Sequence, residues 1–257
     1  MGHPGHELKV FGWMSEFKPR VYVITDGSGR HGVSRKLSTA AALIQLGCET
    51  GEVFGAVSDS EIYRAILAAN YSFFLDLVDQ IAGSFSAHEI DMVAGDAAEG
   101  FNPTHDLCRA VINAAVLKAQ RAMGKTISNL EFTLTEWEGN VPEQEHSDRC
   151  LHFTLNDSLL KAKISAAEGY LELRNEVQQA LAHRGQEYFR VECLRPAPAP
   201  TLLARTGGTK PLYETWGEQR VKGGGYRTVI RLKEHVLPIM NAVLDHGVNS
   251  NVEMITR

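Results

Sequence analysis

The chain has 257 residues, of which 44% are hydrophobic and 22% are charged, and its formal net charge is −5. These proportions are those of a globular protein, and a chain of this length buries enough surface to fold without disulfides. A mildly acidic chain does not predict the positive surface that binds nucleic acid or an anionic membrane, so neither partner is expected.

The sequence shows no targeting signal, and its cysteines are not spaced as disulfide or metal pairs. Both features predict a protein of a reducing compartment, the cytoplasm. The sequence has no run of the ~18 apolar residues that a membrane span needs, and its first residues do not resemble a signal peptide. The four cysteines are far apart in sequence and form no Cys-x-x-Cys pair, which argues against a zinc finger or a thioredoxin-like motif.

The first half of the chain alternates predicted strands with predicted helices. We predict strands over 20–25, 90–94 and 129–137, and helices over 38–46, 60–82 and 104–123. This order is typical of a parallel sheet with helical crossovers, so the expected fold is α/β, a Rossmann-like three-layer sandwich with a mostly parallel sheet. In such folds ligands bind at the carboxyl ends of the strands.

The second half is predicted to be a mixed elaboration of the same domain. We expect a helix over 156–183, an extended proline-rich spacer over 195–200, a strand over 227–232 and a helix over 234–246. No linker marks off an independent core. We therefore treat residues 1–257 as one domain, with a core over 1–140 and a C-terminal elaboration over 141–257.

Two histidines near the amino terminus have the spacing of metal ligands. His3 and His6 are three residues apart, so a turn after Pro4 would bring both imidazoles to one side. Neutral imidazole is a good zinc ligand, and a catalytic zinc site has three protein ligands and one open position. The alternative is a flexible tail or a tag remnant.

Polar residues also crowd the loop after the second predicted strand. Asp96, Glu99, Asn102 and His105 all lie between this strand and the next predicted helix. A polar loop at the carboxyl end of a strand is typical of a functional site. The alternative is an ordinary connection in which Asn102 caps the helix.

A glycine-rich loop, Asp26-Gly27-Ser28-Gly29-Arg30, follows the first predicted strand. Its glycines permit a tight turn, and Ser28 and Arg30 are candidates for contacts with a substrate. The loop lacks the Gly-Lys-Ser/Thr of a Walker loop and the full pattern of a dinucleotide fingerprint.

The order of these segments resembles that of the PIG-L/LmbE family of zinc-dependent de-N-acetylases. In that family a strand is followed by His-Pro-Asp-Asp-Glu, the next strand ends in Thr-x-Gly, and a later loop carries a His-Pro-Asp-His-like element. The corresponding segments here are His3-Pro4-Gly5-His6-Glu7, Thr25-Asp26-Gly27 and Asn102-Pro103-Thr104-His105. The resemblance covers roughly residues 1–125.

The resemblance implies one zinc ion held by His3, His6 and His105, with His6 at the position of a ligating Asp. It also places Asn102 where many members have a histidine that polarises the substrate carbonyl, a role that the side-chain amide can fill by donating a hydrogen bond.

Gly5 departs from the family pattern because it occupies the position of the general base. A base is typically worth ~10²–10⁴ in rate, so another group must take the proton in an active enzyme. Glu99 and Asp96 are the first candidates, ahead of Glu7, whose family counterpart is mainly structural.

The amino terminus is the second departure, because the family's first strand would precede His3 and only Met1 and Gly2 do so here. We expect that the natural chain starts further upstream. In the chain as given, the segment that carries His3 and His6 is expected to be less ordered than the sheet.

The resemblance implies a zinc-dependent hydrolase of an acetamide-type C–N bond, acting on an N-acetylated sugar or a related small molecule. The first alternative is a non-catalytic protein that binds metal or sugar and has lost the base at Gly5. The second is a nucleotide-dependent enzyme that uses the glycine-rich loop.

Overall fold

The structure is a computed structural model that describes residues 1–29, 32–135, 150–198 and 210–249. Within these ranges helices pack on sheets that contain parallel and antiparallel strand pairs, which confirms the α/β class. None of the helices in the described ranges is both long and apolar enough to cross a membrane.

The described ranges contain strands in two sheets. The strands are β1 (Arg20–Thr25), β2 (Glu49–Val57), β3 (Met92–Asp96), β4 (Ser128–Phe132), β5 (Leu151–Thr154) and β6 (Val191–Pro196). β1 and β2 form a parallel pair, and the other four strands lie in the order β3-β4-β6-β5. β3 and β4 are parallel, whereas β6 is antiparallel to both of its neighbours. The strand pairs formed within the first half of the chain, β1–β2 and β3–β4, are therefore parallel, and the pairs that involve β6 are antiparallel.

The helices carry most of the described residues. They are α1 (Phe11–Phe17), α2 (Lys36–Leu46), α3 (Asp59–Leu67), α4 (Tyr71–Ala87), α5 (Pro103–Met123), α6 (Asp157–Glu168), α7 (Arg174–Arg184), α8 (Leu212–Lys222) and α9 (Leu237–Asn249). Short 3₁₀ turns cover His6–Lys9, Leu171–Leu173 and Gln186–Arg190, and a π-helical turn covers Leu232–Val236.

Helix α5 lies at the centre of the larger hydrophobic core, where it packs against α4 and α9. The contact with α9 is so close that a Cβ on Gly247 would lie 2.7 Å from the Ala114 Cα. Arg109, which is fully buried, donates from Nε to the Asp96 carbonyl and from Nη2 to the Leu130 carbonyl. These contacts hold the amino-terminal turns of α5 against the carboxyl end of β3.

Two long predicted helices are each divided in the structure. The helix predicted over 60–82 is α3 and α4, because Ala69 takes a positive φ of 47° and the Asn70 side chain caps α4 at the Phe73 N–H. The helix predicted over 156–183 is α6 and α7, which are separated by a 3₁₀ turn. The strand predicted over 227–232 is wrong, since these residues pair with no described strand.

The amino-terminal segment is well packed, so the expectation that it is less ordered than the sheet is wrong. The Met1 and Gly2 carbonyls accept hydrogen bonds from the Ile24 and Thr25 N–H groups of β1, each at 3.0 Å. The Gly2 N–H donates to Asp96 Oδ2 at 2.7 Å. The segment therefore lies beside β1 and reaches the end of β3.

Candidate metal centre

Three histidine rings meet at the carboxyl ends of β1 and β3. The ring centroids of His3 and His6 are 5.4 Å apart, those of His3 and His105 5.0 Å, and those of His6 and His105 4.7 Å. For three imidazoles on one tetrahedral zinc, bonds of ~2.0–2.1 Å place the ring centroids about 5 Å apart. The structure thus brings together all three of the predicted metal ligands, here called the histidine trio.

Two carboxylates hold rings of the histidine trio at Nδ1. His3 Nδ1 lies 3.0 Å from Asp59 Oδ1 and 2.7 Å from Thr25 Oγ1, and His6 Nδ1 lies 2.9 Å from Asp96 Oδ2. A carboxylate at one ring nitrogen leaves the other nitrogen as the ligand, which is the usual arrangement of metal-binding histidines. Asp96, a predicted catalytic residue, therefore contacts the trio through His6.

Several buried polar atoms at the trio have no hydrogen-bond partner within the protein. They are His3 Nε2, His105 Nδ1 and Asp96 Oδ1. A buried polar group without a partner costs about 1–3 kcal/mol, and a bound cation would relieve this cost for the imidazole nitrogens. The donor set fits zinc, which binds neutral imidazole.

In this structure the three rings are not oriented so that one nitrogen from each lies close enough to bind the same ion. Among the described residues, a group whose ligand atoms all lie within 4.8 Å of one another is found elsewhere, at Cys150, His152 and Cys193, and the trio does not form such a group. Binding of one ion by all three histidines therefore requires rotation of the rings.

The protonation states at the trio suit a cation. Burial lowers the pKa of His6 and holds that of His105 well below its usual value, so both rings are neutral near pH 7. Burial acts to raise the pKa of Asp59 and Asp96, but hydrogen bonding and charge interactions with His3 and His6 outweigh it and hold both pKa values well below their usual range. The two carboxylates are therefore ionised.

The glycine-rich loop is engaged with the protein's own side chains. Its backbone N–H groups donate as follows: Gly27 to Thr25 Oγ1 at 3.3 Å, Ser28 to Asp26 Oδ1 at 2.9 Å and Gly29 to Asp59 Oδ2 at 2.6 Å. These amides are not directed at a ligand phosphate, so the nucleotide alternative gains no support from them. Ser28 itself is 9% exposed, and Arg30 lies outside the described residues.

Glu99, the other predicted base, does not contact the histidine rings through any hydrogen bond in the structure. Its carboxylate accepts from the Leu134 N–H at 2.8 Å and from Thr135 Oγ1 at 2.7 Å. Burial raises the pKa of Glu99. The Glu99 side chain anchors the segment that follows β4. This structural role accounts for a glutamate at position 99 without a catalytic function.

Asn102 caps α5, as one sequence alternative proposed. Its Oδ1 accepts from the Thr104 N–H at 2.8 Å, and its Nδ2 donates to the Tyr63 hydroxyl at 3.3 Å. This cap fixes the first turn of α5 and with it the position of His105.

Gly5 and Glu7 have structural roles in the turn between His3 and His6. Gly5 has a φ of 102°, and a Cβ at this position would lie 2.9 Å from Leu173 Cδ1. The Gly5 N–H donates to Glu7 Oε2 at 2.8 Å, and burial raises the pKa of Glu7 to about 7. The turn that positions the two histidines thus requires glycine at the position of the family's general base.

A cavity of about 910 Å³ is lined by Phe101 and Asn102 at the start of α5, but by none of the three histidines. The Phe101 ring stacks against His105, with centroids 6.3 Å apart, and meets Trp216 edge to face at 4.9 Å. Further lining side chains include Tyr63 and Tyr226. The cavity is large enough for a small-molecule substrate and offers aromatic faces on which a sugar ring can stack.

Sequence reasoning missed two features of this structure. Asp59, which holds His3, follows a helix-capping serine and carries no motif of its own. The cluster of Cys150, His152 and Cys193 was missed because the cysteines were judged by their sequence separation. The alternation Cys-x-His over 150–152 was the available signal.

Comparisons with known protein families, with curated proteins and with solved structures found no match to this chain. Membership of the PIG-L/LmbE family accordingly stays a prediction from the three short motifs.

Proposed function

We propose that this chain is a metal-dependent hydrolase of an acetamide-type C–N bond, with one zinc ion held by His3, His6 and His105. The observation that carries the proposal is the meeting of these three rings, of which His3 and His105 are buried, and two of which are held at Nδ1 by carboxylates. We also propose that the fold is a Rossmann-like three-layer sandwich and that the chain is related to the PIG-L/LmbE family.

A divalent cation at the trio would polarise an amide carbonyl and acidify a water molecule. Asp59 and Asp96 orient His3 and His6 for this purpose. Asp96 Oδ1, which is ionised and has no hydrogen-bond partner, is the better candidate for accepting a proton than Glu99, whose carboxylate is already engaged. Asn102 Nδ2 can donate to a substrate oxygen by exchanging its bond with Tyr63.

The cavity beside Phe101 is the proposed binding site for the rest of the substrate. Its aromatic lining suits the faces of an N-acetylated sugar, and its volume accommodates a small molecule. Ser28 and Arg30 remain candidates for further substrate contacts.

Binding of metal without hydrolysis is the second candidate function. It is favoured by the conformation of Gly5, which excludes a base at that position, and by the low pKa of Asp96, which makes it a weak base. This candidate predicts the same metal content as the hydrolase and no release of acetate from N-acetyl sugars.

The variant His105→Ala tests the metal centre, because it removes one ligand and leaves the other two in place. We expect the purified variant to hold about one equivalent of zinc less than the wild type by elemental analysis, and to lose acetate release from N-acetylglucosamine derivatives.

His88→Ala is the matched control, because His88 is partly exposed and pairs with Glu52 away from the trio. Equal zinc in the wild type and in His105→Ala would overturn the metal centre. Zinc loss with no hydrolysis in the wild type would favour the binding protein over the enzyme.

The variant Gly5→Asp tests whether the family's base can be restored. We expect a loss of about 1–3 kcal/mol in the free energy of unfolding, because the φ of 102° is unfavourable for a side chain, and no gain in hydrolysis. Urea unfolding and acetate release measure the two effects. Gly83→Asp is the control, since Gly83 lies in α4 with open space around it. A faster and equally stable Gly5→Asp enzyme would contradict the structural role of Gly5.

A further inference from the structure

A second cluster of metal-ligating side chains lies on the outer strands of the four-stranded sheet, away from the histidine trio. We propose that Cys150, His152 and Cys193 bind a divalent cation of the zinc type. His152 lies in β5, Cys150 directly precedes β5, and Cys193 lies in β6. The trio lies at the end of β3, which is the strand at the opposite edge of this sheet.

The strand register brings the three side chains together. Cys150 and His152 are two residues apart at the start of β5, so their side chains point to the same face. His152 is paired directly with Cys193 across the antiparallel β5–β6 ladder. Side chains of directly paired residues are neighbours, and long side chains also reach diagonal positions.

The distances are close to those of a metal site. The two Sγ atoms and one histidine nitrogen all lie within 4.8 Å of one another. In a tetrahedral site with Zn–S bonds of ~2.3 Å, ligand atoms are about 3.7 Å apart. Rotamer adjustments of about 1 Å would therefore complete the site, with no change in the strand pairing.

The donor set selects the class of cation. Two thiolates and an imidazole are the ligands that zinc and similarly soft cations prefer, whereas calcium and magnesium prefer oxygen. His152 is exposed and both cysteines are half-buried, so solvent can supply the fourth ligand. Binding converts two thiols to thiolates, and two protons pass to the solvent for each ion bound.

A disulfide between Cys150 and Cys193 is disfavoured by the same register. Diagonal neighbours on an antiparallel pair lie ~7–8 Å apart, whereas the Cα atoms of a disulfide are usually ~4.4–6.8 Å apart. In the structure both cysteines are thiols. The cluster is therefore better suited to hold an ion than to form a bond between the two sulfurs.

Cobalt(II) titration of the reduced, metal-stripped full chain tests the proposal, because cobalt bound to thiolate has a strong near-ultraviolet charge-transfer absorption that histidine ligation does not give. We expect this absorption to saturate at about one equivalent of cobalt in His105→Ala, in which the histidine trio no longer competes for the ion, and zinc to abolish it by displacement. Cys193→Ser should remove it, and His152→Ala should weaken cobalt binding by at least about tenfold.

Two controls separate this site from other cysteines and from the histidine trio. Cys48→Ser and His105→Ala should both keep the charge-transfer absorption, since Cys48 lies near α1 and His105 belongs to the trio. Circular dichroism checks that Cys193→Ser is folded. Absence of the absorption in the wild type, its persistence in Cys193→Ser, or its loss in His105→Ala alone would overturn the proposal.

Discussion

Glu192→Ala is expected to lower the free energy of unfolding by about 3–5 kcal/mol, the range found when one partner of a buried ion pair is removed. Glu192 is 2% exposed and accepts from Lys163 Nζ at 2.9 Å. It also accepts from the Gly12 and Trp13 N–H groups in the first turn of α1, at 2.9 and 3.0 Å. Truncation leaves two helix N–H groups without their acceptor, and it leaves the buried Lys163 ammonium with the Phe189 carbonyl but no counter-charge.

Urea unfolding at neutral pH measures this effect. The matched control is Glu187→Ala, whose carboxylate is largely exposed and pairs with Arg190. An exposed pair contributes only ~0–1 kcal/mol, so the control should be nearly as stable as the wild type. Similar losses for the two variants would mean that the buried position of Glu192 adds nothing to its contribution.

Asp96→Asn is expected to weaken zinc binding at the histidine trio by about 10–100-fold, as is typical when the carboxylate behind a ligating histidine is replaced. The carboxylate fixes His6 through Nδ1 and supplies a negative charge close to the proposed ion. The amide has nearly the same shape and can still accept a hydrogen bond, but it carries no charge, so the ring loses its electrostatic partner.

Competition between the protein and a chelator of known affinity measures the change in zinc binding. Asp106→Asn is the control, because Asp106 is also buried near the start of α5 but accepts from the Glu99 and Gly100 N–H groups instead of a histidine. We expect its zinc affinity to be close to that of the wild type. Equal affinity in Asp96→Asn and the wild type would contradict the role of Asp96 as a positioning residue.

The strongest sequence signals located the centre of the fold. The strand over 20–25 and the helix over 104–123 match β1 and α5 closely, because one is a compact β-branched run and the other a long pattern bounded by Asn102 and Gly124. These elements hold the loops at the carboxyl ends of the strands. The sequence could therefore predict that His105 lies at the carboxyl ends of the strands, whereas its meeting with His3 and His6 was implied by the family resemblance.

Strand β2 was not predicted because two glycines interrupt its pattern. A Cβ on Gly51 would lie 2.3 Å from the Tyr22 ring, and Gly55 takes a φ of 59° against the side chain of Lys36. Both glycines are needed for close approach to neighbouring residues. Such contacts form only in the folded chain, so local propensity gave no sign of them.

The pairing of the outer strands was equally inaccessible. β5 is four residues long, and its register with β6 joins residues about forty positions apart. The same reasoning applies to Asp59, which reaches His3 across the fold. Only the tertiary structure shows which carboxylate holds which histidine.

The histidine trio and its carboxylates come from widely separated parts of the chain, and this has a thermodynamic consequence. In the unfolded ensemble these groups are scattered, so the proposed cation would bind the native state in preference to the unfolded state. At a free concentration of ~100 times its dissociation constant, such a ligand adds about 2.7 kcal/mol to native stability. The resistance of this protein to unfolding would then track the free zinc concentration of its surroundings.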